Sequence, residues 1–131
     1  MDVFPLLHKF FWGGVMIAPQ VANGGYKEYF LCLYLNVRNQ VIHKEVVSID
    51  SLSASIVQPR EVFRVAVFRS AASIILAHNH PSGDVSPSKD DIELTGRLVK
   101  AGHILGIEVL DHIIIGTADF LSLQERGLMQ K

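Results

Sequence analysis

The sequence predicts an α/β fold, a sheet with helices packed on it. Short apolar runs rich in β-branched and aromatic residues, at 28–37, 40–47, 74–77 and 107–116, have the length and composition of strands. Stretches 59–68 and 91–105 instead repeat their apolar residues at helical spacing. The order β-β-α-β-α-β that results is that of an α/β domain. At 131 residues, 49% of them apolar, the chain can bury a sizeable core.

Taken in order, the opening residues 1–22 are unusually apolar, with Phe10, Phe11 and Trp12 at their centre. A membrane span needs roughly 20 consecutive apolar residues, and Pro5, His8, Lys9 and Pro19 interrupt this one. A signal peptide would begin with basic residues, where this chain has Asp2. The expectation is an apolar segment, residues 1–25, packed on a domain that occupies 26–131, with no membrane partner. Asn23-Gly24-Gly25 is a turn signal. Glu28 to Val37 reads as a strand buried on both faces, and Arg38-Asn39 as a tight turn into a second strand, Gln40 to Val47. Ser48 to Ser55 is a polar loop. Pro59 opens a helix whose inward residues are Val62, Phe63, Ala66 and Val67. Ile74 to Ala77 is a short buried strand. From Asp91 to Leu105 a helix places Lys89, Glu93, Arg97 and Lys100 on one face and Ile92, Leu98 and Val99 on another, until Gly102 and Gly106 loosen or end it. Ile107 to Gly116 returns as a strand interrupted by Asp111-His112, and Asp119 to Met129 holds a short helix.

Composition narrows the function. A net charge of −1 and a pI near 6.6 leave no electrostatic footprint for nucleic acid. The single cysteine, Cys32, excludes an internal disulfide and suits the reducing cytoplasm. Inside an apolar run, it reads as a small buried hydrophobe.

The chemistry concentrates in His78-Asn79-His80-Pro81-Ser82-Gly83-Asp84 and the Ser88-x-x-Asp91 that follows. Side chains alternate along a strand, so His78 and His80 point the same way. Asp91 reaches them from the first turn of the following helix. Two imidazoles, a carboxylate and a water make the pattern of a catalytic rather than a structural zinc. Weighed alone, Ser88-x-x-Asp91 is better read as a helix cap, with Ser88 capping and the acid complementing the helix dipole. The two roles are compatible, since a capped turn holds Asp91 rigidly. With both histidines counted, a metal site outweighs a purely structural loop. His8, His43 and His103 have no companion ligands nearby. For Asp111-His112, a role behind the site or facing substrate competes evenly with a buried hydrogen-bonded pair.

Rival metal chemistries fail on this sequence. Zinc deaminases need Pro-Cys-x-x-Cys, and this chain has one cysteine. A His-Glu-x-x-His helix is absent. Barrel hydrolases that use His-x-His need about 250 residues.

His78-x-His80-Pro81 with Ser88-x-x-Asp91 resembles the motif of JAMM (MPN+/JAB) metalloproteases, and more closely their RadC-like branch. Pro59-Arg60-Glu61-Val62-Phe63-Arg64 and Leu110-Asp111-His112-Ile113-Ile114 are similar to RadC-type sequence as well. The resemblance covers residues 26 to 128. It implies a mixed sheet flanked by helices, the architecture JAMM domains share with cytidine deaminases. It also implies roles: His78, His80 and Asp91 as zinc ligands, Ser88 as the group that steadies water or oxyanion, and an upstream glutamate as general acid/base. Glu28, at the start of the first strand, is the choice for that glutamate, with Glu45 and Glu61 behind it. RadC-like proteins usually carry an N-terminal helix-hairpin-helix region, for which these residues leave no room, so an isolated catalytic-type domain is expected. The implied function is zinc-dependent hydrolysis of a peptide or isopeptide bond in a peptide or protein substrate. The alternative is a DNA-repair-associated or partner-binding module with a structural or vestigial metal, in which DNA enters only through the family association.

Overall fold

A computed structural model describes residues 28–49, 57–80, 82–116 and 118–129. The apolar segment 1–25 with its turn, His8 and the loop residues 50–55 lie outside them. The described chain runs β1 (Tyr29–Leu35), β2 (Val41–Ile49), α1 (Pro59–Phe68), β3 (Ser73–Asn79), α2 (Lys89–Leu105), β4 (Glu108–Ile115) and β5 (Phe120–Ser122). Its strands form one mixed sheet in the order β2-β1-β3-β4-β5. β1 pairs antiparallel with both β2 and β3, β3 parallel with β4, and β4 antiparallel with β5. A parallel pair needs a crossover, and α2 supplies it. This is the α/β class that the alternating elements predict.

β1 lies inside the sheet, and every one of its residues is buried, which explains its unbroken apolar run. Cys32 is fully buried there, and burial pushes its thiol up to about 12. The turn into β2 is organised by Asn36, whose side-chain oxygen accepts from the backbone N–H groups of Arg38 and Gln40. β2 runs on through Ser48 and Ile49, two residues expected in the loop. Phe30, Cys32 and Tyr34 face both helices and pack with Val62 and Phe63 of α1 and Leu94 and Leu98 of α2. Leu31, Leu33, Ile75 and Ile113 form a second buried cluster on the other face, to which neither described helix contributes.

Three local expectations need correction. Val67 is 62% exposed rather than inward. The buried stripe of α1 is Val62, Phe63 and Ala66, and the residue after Ala66 is rotated by about 100° to its side. β4 is continuous through Asp111-His112, because the pair alternates across the strand: His112 is buried, and Asp111 is half-buried and bonded to the segment that follows β4. Among the described residues the tail forms no helix. Asp111 draws it into β5 and the turn beyond, accepting from the Ser122 hydroxyl at 2.6 Å and from the Gln124 backbone N–H at 3.1 Å.

Gly102 does not end α2. It sits inside the helix because the chain returns across it: a Cβ there would lie 2.3 Å from the Ile107 carbonyl oxygen and 3.2 Å from the Phe63 ring. The helix ends at Gly106, whose φ of 73° is left-handed. Gly102→Ala is therefore expected to destabilise the domain by about 1–3 kcal/mol, the usual cost of overpacking. Urea denaturation would register this as a lower midpoint at unchanged slope.

Candidate metal centre

The site forms where the end of β3 meets the start of α2. His78 belongs to β3 and His80 follows it directly, so alternation turns both rings to one side. Their Nε2 atoms lie 2.9 Å apart. Asp91 faces them from the first turn of α2, with Oδ1 3.3 Å from Nε2 of His78 and Oδ2 3.4 Å from Nε2 of His80. The helix start holds that carboxylate in place through a reciprocal capping box. Ser88 Oγ accepts from the Asp91 backbone N–H at 3.0 Å, and Asp91 Oδ2 accepts from the Ser88 backbone N–H at 2.8 Å. Capping and presentation to the histidines are thus one arrangement.

Glu28 arrives from the neighbouring strand. β1 runs antiparallel to β3 with Phe30 opposite His78, which brings the residue just before β1 to the His-x-His end. The Glu28 carboxylate and the ring nitrogens of His78 and His80 all lie within 4.8 Å of one another. Asn79 secures the approach: its side-chain oxygen accepts from the Tyr29 backbone N–H at 2.7 Å. Glu45 pairs with His43 at 2.8 Å and Glu61 with Arg64 at 3.2 Å, so neither joins the cluster. His103 lies exposed near the end of α2.

The second nitrogen of each ring is engaged away from the cluster. His80 Nδ1 lies 2.7 Å from the Asp84 carbonyl oxygen, to which it donates. His78 Nδ1 lies 2.7 Å from Nε2 of His112, and Nδ1 of His112 contacts Oγ1 of Thr95. The loop bearing Asp84 closes over β4 at Gly116, where a Cβ would lie 3.0 Å from Val85 and 2.7 Å from Asp119.

Electrostatics follow from this crowding. Burial opposes ionisation of Asp91, but hydrogen bonds from His78 and His80 outweigh it and hold the carboxyl well below its ordinary range. The bond to Asp91 raises the His80 ring above its ordinary value, against the effect of burial. Complete burial, with His78 adjacent, pushes His112 well below its ordinary value.

The donors fit a divalent ion. Ligands about 2.0–2.1 Å from a tetrahedral centre lie roughly 3.3 Å from one another; here the two Nε2 atoms are 2.9 Å apart, and each lies 3.3 or 3.4 Å from a different oxygen of the Asp91 carboxylate. Two imidazoles with either carboxylate, Asp91 or Glu28, could make a three-ligand set. Thr95 and Asn79 were not singled out from the sequence. Thr95 had a signal, four residues after Asp91 and so on the same helix face. Asn79 had none, because its contact depends on strand pairing.

Residues 15–128 match the family model described as the RadC-like JAB domain. Over 101 residues the chain is 63% identical to UPF0758 proteins of Bacillus cereus (strain AH187), Bacillus anthracis (strain A0248) and Bacillus thuringiensis subsp. konkukian (strain 97-27). That stretch is 77% of this chain and 45% of each relative, so the match spans a little under half of their length.

Proposed function

The chain belongs to the RadC-like JAB domain family, and from that premise we propose that it is a metal-dependent hydrolase cleaving an amide bond, peptide or isopeptide, with zinc held by His78, His80 and Asp91. The observation that carries this reading is the convergence of two Nε2 atoms and one fixed carboxylate while each ring's Nδ1 is engaged elsewhere. A zinc ion in such a set acts as a Lewis acid that polarises a carbonyl and brings the pKa of water down towards ~7.

The chain's own groups do the rest. Glu28 takes the proton of the attacking water and returns it to the leaving nitrogen. Ser88 receives the Asp91 N–H on an Oγ lone pair, which leaves its O–H to donate to the developing oxyanion; one such donor is worth about 3 kcal/mol. Asp91 keeps its charge in the pocket because both histidines and the capped helix turn stabilise it.

A DNA-binding reading has less support. The net charge of −1 gives the chain no overall electrostatic attraction for a duplex. Among the described residues, no helix is long and apolar enough to cross a membrane.

Metal removal and return test the proposal. Chelator-stripped protein dialysed against zinc is expected to take up about one ion per chain. Zinc at a hundredfold its dissociation constant should stabilise the fold by about 2.7 kcal/mol, read as a rise in unfolding temperature. Hydrolysis of a peptide or isopeptide substrate should disappear on chelation and return with zinc. A wild type that takes up no zinc and gains no stability would overturn the proposal.

A further inference from the structure

Behind the three ligands lies a fully buried chain of hydrogen bonds that the chemistry above leaves unused. His78, His112 and Thr95 are each 0% exposed, so water cannot replace any partner that is lost. His112 comes from β4, opposite Leu76 in the parallel pairing with β3, and Thr95 stands one helical turn after Asp91. Phe30 closes the group edge-on to His112, with ring centroids 5.8 Å apart.

We propose that His112 and Thr95 are positioning residues that hold the His78 ring with its Nε2 lone pair facing the metal position and tie it to the helix carrying Asp91. The role presupposes the metal centre proposed above. His78 can ligate through Nε2 only when its single proton is on Nδ1. That N–H donates to His112 Nε2 at 2.7 Å, and a ring that accepts at Nε2 carries its proton on Nδ1. His112 Nδ1 then donates to Thr95 Oγ1 at 2.5 Å, and the Thr95 hydroxyl donates to the Asp91 backbone oxygen at 2.7 Å. Each link gives one proton and receives one, in a single direction, from one ligand to the backbone of another. Run in reverse, with Thr95 donating to His112, the chain ends in a proton on His78 Nε2 that blocks the lone pair. A metal selects the first direction, and the relay resists any tilt of the ring away from it. Partners behind a ligand histidine set its tautomer and orientation in this way.

The test compares wild type, Thr95→Val, Thr95→Ser and His112→Phe after removal of metal. Zinc affinity is measured by competition with a chromophoric chelator, the visible spectrum of the cobalt(II) form reports ligand geometry, and thermal unfolding reports the fold. Thr95→Val and His112→Phe are expected to bind zinc about 10–100-fold more weakly with shifted cobalt bands. Thr95→Ser, which restores the hydroxyl, should stay within a few-fold of wild type with unchanged bands. If His112→Phe fails to fold, Thr95→Val carries the comparison. A folded Thr95→Val that matches wild type in affinity and spectrum overturns the relay and leaves the metal centre standing. A wild type that binds neither ion overturns the metal centre and the relay together.

Discussion

Glu28→Gln is expected to keep zinc uptake within a few-fold of wild type while lowering amide hydrolysis by about 10²–10⁴-fold, the range for loss of a positioned general acid/base. Glutamine keeps the length and shape of the side chain but cannot accept and return a proton. Glu28 is half-buried, one residue before β1 and beside both histidines, so the change leaves the three-ligand set intact. The measurement pairs metal content with turnover of one amide substrate that the wild type cleaves. Turnover at the wild-type rate would remove Glu28 from the reaction. Loss of metal together with turnover would make Glu28 a ligand, a role its distance to the two histidines also permits.

Asp91→Asn separates two roles that one carboxylate combines. The amide oxygen of asparagine can still accept the Ser88 backbone N–H, and Ser88 can still accept from residue 91, so the capping box survives. What disappears is the negative charge facing two imidazoles 3.3 and 3.4 Å away. Zinc affinity is expected to fall at least 100-fold, beyond the roughly 10–100-fold typical of partners behind the ligands. The unfolding temperature without metal should move far less. Chelator competition and thermal unfolding on the same samples check both. Retained affinity would exclude Asp91 as a ligand, and collapse of the metal-free fold would make its role primarily structural.

Residues 73–105 were the most legible part of this protein. A β-branched run, His-x-His, a polar loop and Ser88-x-x-Asp91 form one continuous strand–loop–helix unit, in which period two and period 3.6 dictate side-chain direction with no knowledge of the neighbours. The histidine pair, the capping box and the charged outer face of α2 all follow from that local geometry. The boundaries of β2 and the tail were less legible, because pairing partners rather than propensity decide where a strand stops.

By itself, then, the sequence determined the α/β class, the family, and the elements that carry His78, His80 and Asp91. Only the tertiary structure decided what stands around them. Glu28 reaches the histidines because β1 lies antiparallel beside β3, and His112 reaches His78 because β4 lies parallel on β3's other side. Thr95 joins once α2 packs over both. Asp111 and His112, adjacent in sequence, part company for the same reason: one ties β4 to β5 while the other stands behind His78. Periodicity states which face a residue takes, but strand order and register, set by the packing of the whole domain, state what meets it there.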